Sequence, residues 1–251
     1  MKSLAVSKEG TLSFVDLPIP SYGPCQALVR MKSCGVCNGT DTKIIHGTFK
    51  NFDTYPAILG HEGVGEVVEI GEHVETLQVG DLVLLPFLEQ EANGYVPGWG
   101  AFSEYAVVGD AQAYIHHGMG PGTSEFSESY YAQNVIRKED HVNAVGASMI
   151  ITFREVLSAI RRFGIRENTS AVVFGAGPVG LCFITFLKLL GVSTVISIDV
   201  NEEKKKEAQK MGADLALNST VTDIKEAVRS RFPDGVDYVI DAVGLNQLIN
   251  Q

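Results

Sequence analysis

The segment Gly175-Ala176-Gly177-Pro178-Val179-Gly180 directly follows the apolar run 171–174 and opens the apolar run 181–190. A strand, a glycine-rich turn and a helix in that order leave few folds open. The first glycine permits a tight turn, the second lets backbone approach a pyrophosphate, and the third lets helix and strand pack closely. The pyrophosphate would sit at the N-terminus of the 181–190 helix, where free N–H groups and the helix dipole favour an anion. The glycine pattern alone is a weak signal, and its place between strand and helix strengthens it. Asp199 closes the next predicted strand, about twenty residues after Gly180. A carboxylate there accepts hydrogen bonds from adenosine ribose hydroxyls and repels a 2′-phosphate, which favours NAD over NADP. Gly175, Gly177, Pro178, Val179, Gly180 and Asp199 are therefore candidate cofactor-binding residues. The bland alternative is a βα unit without a ligand, with Asp199 capping a turn.

The alternation continues beyond this unit. Residues 194–198 read as a strand, 202–211 as a charged helix ending at Gly212, 215–217 as a strand, 223–231 as a helix and 236–240 as a strand. Such an order means a parallel sheet with right-handed crossovers. Ahead of it, Ile151, Val156, Leu157 and Ile160 recur at helical spacing, with Arg154, Glu155, Arg161 and Arg162 between them. They predict a helix over 150–163, with Gly164 as its stop. The first half has another character. Short β-prone runs at 4–6, 12–15, 27–32, 65–70, 82–85 and 101–108 alternate with Gly, Pro and Ser. Many short strands at close spacing suggest a barrel-like or sandwich-like body. The expected class is α/β, with an all-β-rich domain over 1–149 and a doubly wound parallel sheet over 150–251. Residues 115–137, with HHGMGPGTSEFSESYY, read as a surface loop, or else as an oligomer arm or a lid. A doubly wound dinucleotide fold has six strands. Only the strands at 171, 194, 215 and 236 are found, so the last two are expected to be missing from the chain as given.

Composition excludes several classes. Of 251 residues, 45% are hydrophobic and 20% charged, which fits a soluble globular protein. The net charge of −10 and the lack of a long basic run argue against nucleic acid or acidic membrane as partners. Cys25, Cys34, Cys37 and Cys182 are too few for a disulfide framework, so a reducing compartment is expected. The N-terminus lacks the apolar core of a secretory signal. The apolar run 181–190 contains Lys188 and is too short to span a bilayer. Cytoplasm is the expected location.

Cys37, His61 and Glu62 are residue types that bind zinc. They are separated in sequence, so spacing alone does not join them. A His beside a Glu is commonly a solvated surface pair, and the Cys34–Cys37 spacing is commonly accidental. A thioredoxin-like role for that pair would need a βαβ context that is absent around it.

Cys34-Gly-Val-Cys37-Asn-Gly-Thr40-Asp41 resembles the catalytic-zinc loop of the zinc-dependent medium-chain dehydrogenase/reductase superfamily, whose members include alcohol, sorbitol and glucose dehydrogenases. Gly60-His61-Glu62-Gly63-Val64-Gly65 resembles its signature, which continues through Gly71, Val74, Gly80-Asp81 and Val83. The stretch GWGAFSEYAVV at 98–108 is similar to another family strand, and the dinucleotide motif falls where the superfamily has it. The resemblance covers nearly the whole chain except about residues 110–147. It implies a GroES-like catalytic domain over 1–149 and a Rossmann NAD-binding domain over 150–251.

By this resemblance Cys37 and His61 would be zinc ligands, Asp41 would orient the ligand shell, and Thr40 would begin a proton relay. The family commonly has two residues between the zinc cysteine and the aspartate. Here Asn38, Gly39 and Thr40 intervene, and a one-residue bulge would keep Thr40 in its role. Many members place a third ligand at the position of Ile151, which cannot bind metal. Sorbitol- and glucose-dehydrogenase-like members use the Glu of the signature with a water, which points to Glu62, and Glu155 is a weaker candidate. No cysteines occur between Pro86 and Gly98 for a structural zinc lobe, so one catalytic zinc per chain is expected. Asp241-Ala242-Val243-Gly244 resembles the loop near the cofactor, which adds Val243.

The implied reaction moves a hydride between NAD and a small alcohol, polyol or sugar hydroxyl, with Thr40 and Glu62 as catalytic residues. The resemblance places it in a cleft between the two domains. It also implies a dimer or tetramer. Two other readings stay open: a zinc-free quinone or enone reductase, and a non-catalytic NAD-binding protein.

Overall fold

Alternating apolar residues build the first half around a β core. In the computed structural model, which describes residues 1–137 and 141–244, the chain forms two compact units, Met1–Ile151 and one beginning at Thr152. The first carries strands β1 (Lys2–Val6), β2 (Leu12–Asp16), β3 (Gln26–Gly35), β4 (Ala57–Ile58), β5 (Glu62–Ile70), β6 (Leu82–Leu84), β7 (Val96–Pro97), β8 (Tyr105–Gly109) and β9 (Val135–Ile136). They make a four-stranded sheet of order β2-β1-β4-β7 and a five-stranded sheet of order β8-β3-β5-β6-β9. Ala27, Val29, Val67, Leu77, Val83 and Val108 close one core. Ala5, Leu17, Ile58 and Leu88 close another.

The pairing of β3 with β5 positions the chemistry. The two strands run antiparallel, with Cys34 opposite Gly63 and Gly35 opposite Glu62. The end of β3 and the start of β5 therefore lie side by side. Two register shifts, between Leu28 and Val29 and between Met31 and Ser33, interrupt this ribbon, the second of them close to its functional end. Helix α1 (Asn38–Ile45) leaves directly from there.

Several expectations are revised. The segment after β3 is helical, because Cys37 N–H donates to Asp41 Oδ2 at 3.0 Å and Asp41 N–H to the Cys37 carbonyl at 2.8 Å. The extra residue is thus absorbed in the first turn of α1. The strand expected over 101–108 shrinks to β8, since residues before it bond across to Leu4 and Met31 as isolated crossings. The surface-loop reading of 115–137 is the larger miss. Helix α2 (Ala111–His116) precedes it, a 3₁₀ turn spans Glu128–Ala132, and β9 adds to β6 through Leu82↔Ile136. Tyr130 is buried with Cys25, Ala113 and Tyr114. The aromatics interspersed in this Gly- and Ser-rich segment are the anchors that a polar loop lacks.

Helix α3 (Ala144–Ala147) leads into α4 (Met149–Arg162), whose second residue is the expected start. The second unit is the expected alternation: β10 (Ser170–Phe174), α5 (Pro178–Leu189), β11 (Thr194–Asp199), α6 (Glu202–Lys210), β12 (Leu215–Asn218), α7 (Ile224–Arg229) and β13 (Tyr238–Asp241). All pairs are parallel, in the order β12-β11-β10-β13. The order reverses between β10 and β11 on one side and β13 on the other, which is where such sheets bind ligands. Helix α5 starts three residues before the expected point, because Pro178 accepts the first helical position without needing a donor. Among the described residues no helix is long and apolar enough to cross a membrane.

Candidate metal centre and dinucleotide loop

Cys37 is the N-cap of α1, just past β3, while His61 and Glu62 stand at the start of β5. Strand register therefore brings together residues that spacing could not join. One ligand atom from each of Cys37, His61 and Glu62 lies within 4.8 Å of the others, and no other such group of three occurs among the described residues. Sulfur, imidazole nitrogen and carboxylate oxygen are a donor set that zinc accepts, with a fourth position left over. A Cβ on Gly35 would run into the Glu62 carboxylate, so a glycine there leaves room for that side chain.

The electrostatics favour a cation. The His61 ring beside it draws the Cys37 thiol below its usual range, against burial, and Thr40 helps. Burial pushes the His61 imidazole down, but Cys37, Asp41 and Glu62 around it move it upward on balance. Burial holds the Asp41 carboxyl above the usual carboxylate range, although His61 pulls the other way. Asp41 Oδ1 and His61 Nδ1 are buried without a hydrogen-bond partner and stand 3.6 Å apart. A carboxylate behind an imidazole is the arrangement that orients a metal-binding histidine. Cys34, three residues before Cys37, differs: burial pushes its thiol up to about 12. A thiol so placed is a poor metal ligand at neutral pH. Glu155 is exposed on α4 and outside the group, while Ile151 is buried.

A residue that sequence reasoning passed over is Trp99. Its ring centroid lies 5.2 Å from that of His61, and its backbone is left-handed at φ 66°. Its place between Gly98 and Gly100 was the available signal.

In the second unit the glycine loop is equally specific. Gly175 turns at φ 92°, a region costly for residues with a Cβ. A Cβ on Gly180 would collide with the Gly175 carbonyl oxygen, so the loop closes only around glycine. A Cβ on Gly177 would meet nothing within 4 Å, so the space before this backbone is open to a ligand. Gly177 caps α5, with Pro178 and Val179 in its first turn, and Val179 is 41% exposed. Free N–H groups at that end suit a pyrophosphate. Asp199 accepts from Ala176 N–H at 2.7 Å and Asn201 N–H at 2.9 Å, so its carboxylate is held at the loop. Val243 reaches over Gly175, and Asp241 fixes its turn by accepting from the N–H groups of Val243 and Gly244 at 2.8 and 2.9 Å.

Both halves match known families. Residues 23–117 match the alcohol dehydrogenase GroES-like domain, and residues 178–251 match the zinc-binding dehydrogenase family. The (R,R)-butanediol dehydrogenase of Bacillus subtilis is 26% identical over 100% of this chain and 73% of its own length. The D-altritol 5-dehydrogenase of Agrobacterium fabrum is 29% identical over 98% of this chain and 70% of its own. Among solved structures, a zinc-binding dehydrogenase of Sinorhizobium meliloti bound to NADP superposes with a TM-score of 0.80, at 25% identity, over 99% of this chain and 71% of that one. The GroES-like sheets, the parallel sheet with its glycine loop and these matches together define an oxidoreductase fold. The chain belongs to the zinc-dependent medium-chain dehydrogenase/reductase superfamily.

Proposed function

We propose that this protein oxidises the hydroxyl of a small alcohol, polyol or sugar, with one zinc held by Cys37, His61 and Glu62 and with NAD as hydride acceptor. The convergence of these three side chains within 4.8 Å carries the reading. A zinc-free quinone reductase would have no use for it. When bound, zinc supplies Lewis acidity that lowers a hydroxyl pKa, and the nicotinamide takes up the hydride.

The remaining work falls to the protein's own groups. Asp41, buried behind His61, orients the imidazole and fixes which nitrogen faces the ligand set. Thr40 lies against Cys37, where its hydroxyl can take up the departing proton and pass it outward. In the second unit, the open backbone at Gly177 and the helix end behind it hold the pyrophosphate, and Gly180 keeps strand and helix close. Asp199, held at the loop, would accept from ribose hydroxyls, and its charge would oppose a 2′-phosphate, which supports NAD over NADP. The relatives named for butanediol and D-altritol support a small alcohol that carries a further polar group as the substrate.

The test is elemental analysis of wild type and Glu62→Ala, followed by a polyol screen with NAD and NADP in parallel. One zinc per chain, weakened in the variant, with NADH formed from a small alcohol or polyol, is the expected result. A wild type that carries no zinc overturns the reading.

A further inference from the structure

A groove of about 630 Å³ opens in the first unit beside Trp99. Phe52, Trp99, Phe126 and Tyr130 give it aromatic walls, Glu89 and Glu125 give it carboxylates, and among the described residues no lysine, arginine or histidine lines it. Glu89 is pinned in place: Oε2 accepts from Gln26 Nε2 at 2.6 Å and Oε1 from the Tyr130 hydroxyl at 2.9 Å. An ionised carboxylate has about four acceptor sites, so capacity for a further donor remains. Tyr130 itself is buried, and its ring stacks on Tyr114 at 4.9 Å.

Trp99 joins this groove to the metal centre. Its left-handed backbone is costly for a bulky residue, and it is retained with the Trp99 carbonyl accepting from Leu88 N–H at 2.8 Å. Strain of this kind collects at functional sites. The indole that borders the groove also lies beside the His61 ring. Electron-rich aromatic faces attract cations, and carboxylates without basic neighbours reinforce that attraction.

We propose that the groove binds an organic cation, the ammonium group of an amino alcohol whose hydroxyl is the one oxidised. This assignment rests on the dehydrogenase reading above. The carbinol carbon gives its hydride to the nicotinamide, the hydroxyl proton leaves to solvent, and the product is an amino ketone or amino aldehyde with its ammonium group unchanged.

The chain contains one tryptophan, so tryptophan fluorescence, excited selectively over the tyrosines, reports the surroundings of Trp99. Tetramethylammonium chloride should change it saturably, while tert-butanol of similar shape and sodium chloride of equal ionic strength should not. Glu89→Gln and Glu125→Gln should each weaken that binding about fivefold. Glu125 is exposed, so its variant tests charge without disturbing the packing under Glu89. In turnover, 1-amino-2-propanol and longer ω-amino secondary alcohols should exceed their methyl-ended counterparts by about tenfold in kcat/KM at the best length. An equal fluorescence response to tert-butanol or sorbitol overturns the groove assignment. Alcohol oxidation with no preference for amines and no ammonium response also overturns it, and leaves the dehydrogenase reading standing. Saturable ammonium binding with no alcohol oxidised overturns the substrate assignment together with the dehydrogenase reading.

Discussion

The two units of this chain build their candidate binding sites in opposite ways. In the second unit the candidate cofactor loop is contiguous: Gly175 to Gly180 turn, cap and pack within six residues, and Asp199 and Val243 come from elsewhere. In the first unit the candidate metal centre is convergent: Cys37 caps α1 just past the end of β3, and His61 and Glu62 stand at the start of β5. A contiguous site depends on local conformation and fails when one backbone position is filled. A convergent site depends on register and tolerates local change as long as β3 and β5 stay aligned.

Removing a ligand gives the sharpest test of this contrast. Cys37→Ser or His61→Ala should take zinc content and turnover to background while NAD binding survives, as followed by elemental analysis, initial rates and NADH fluorescence. Joint loss of zinc and NAD binding would mean that the two sites are not separable. The reciprocal change is Gly180→Val, whose side chain would collide with the Gly175 carbonyl oxygen. Overpacking of that kind costs about 1–3 kcal/mol. NAD affinity should drop by about a hundredfold at the upper end of that cost, with zinc content unchanged.

Asp41→Asn keeps the shape behind His61 and removes the charge. It should weaken zinc binding by about 10–100-fold in a chelator competition, as expected when the group orienting a ligand is lost. An unchanged affinity would assign Asp41 to the fold alone.

Asp110 combines both modes of construction. It caps α2 locally through Gln112 and Ala113 N–H, and it accepts from Glu75 and Thr76 N–H at 2.7 and 2.6 Å across the fold. Burial pushes this carboxyl up, but the backbone donors outweigh it and hold it below the usual range. A depressed carboxylate contributes stability that is present above its unfolded pKa of about 3.9 and lost as pH falls through the folded value. Asp110→Ala should therefore cost about 1–3 kcal/mol at pH 7 in urea unfolding. The gap to wild type should narrow below about pH 4. A gap independent of pH would locate the effect in packing.

The smallest expected change is at Asp199. Asp199→Ser keeps an acceptor near Ala176 but removes the charge, and should narrow the NAD-to-NADP preference by about tenfold in kcat/KM, equivalent to about 1.4 kcal/mol. If wild type already uses both cofactors equally, Asp199 sets only the loop geometry.

The same contrast explains what could be read in advance. The alternation of β10 to β13 with α5 to α7 was legible because periodicity and glycine placement act over a few residues. Boundaries moved by one to three residues where caps decided them, as at Pro178. Residues 115–137 were misread, because Tyr130 finds its burial against Cys25 and Tyr114, partners invisible to local pattern. Trp99 has a local mark in its flanking glycines, but its neighbour His61 lies far off in sequence.

By itself the sequence determined which residues could ligate a metal and where a dinucleotide could approach backbone, since residue chemistry and glycine conformation are properties of the chain. Only the tertiary structure decided that the Cys37 sulfur joins the ligand atoms of His61 and Glu62 while that of Cys34 stays outside the group. The physical reason is strand register, which selects partners across the sheet from side chains far apart in sequence.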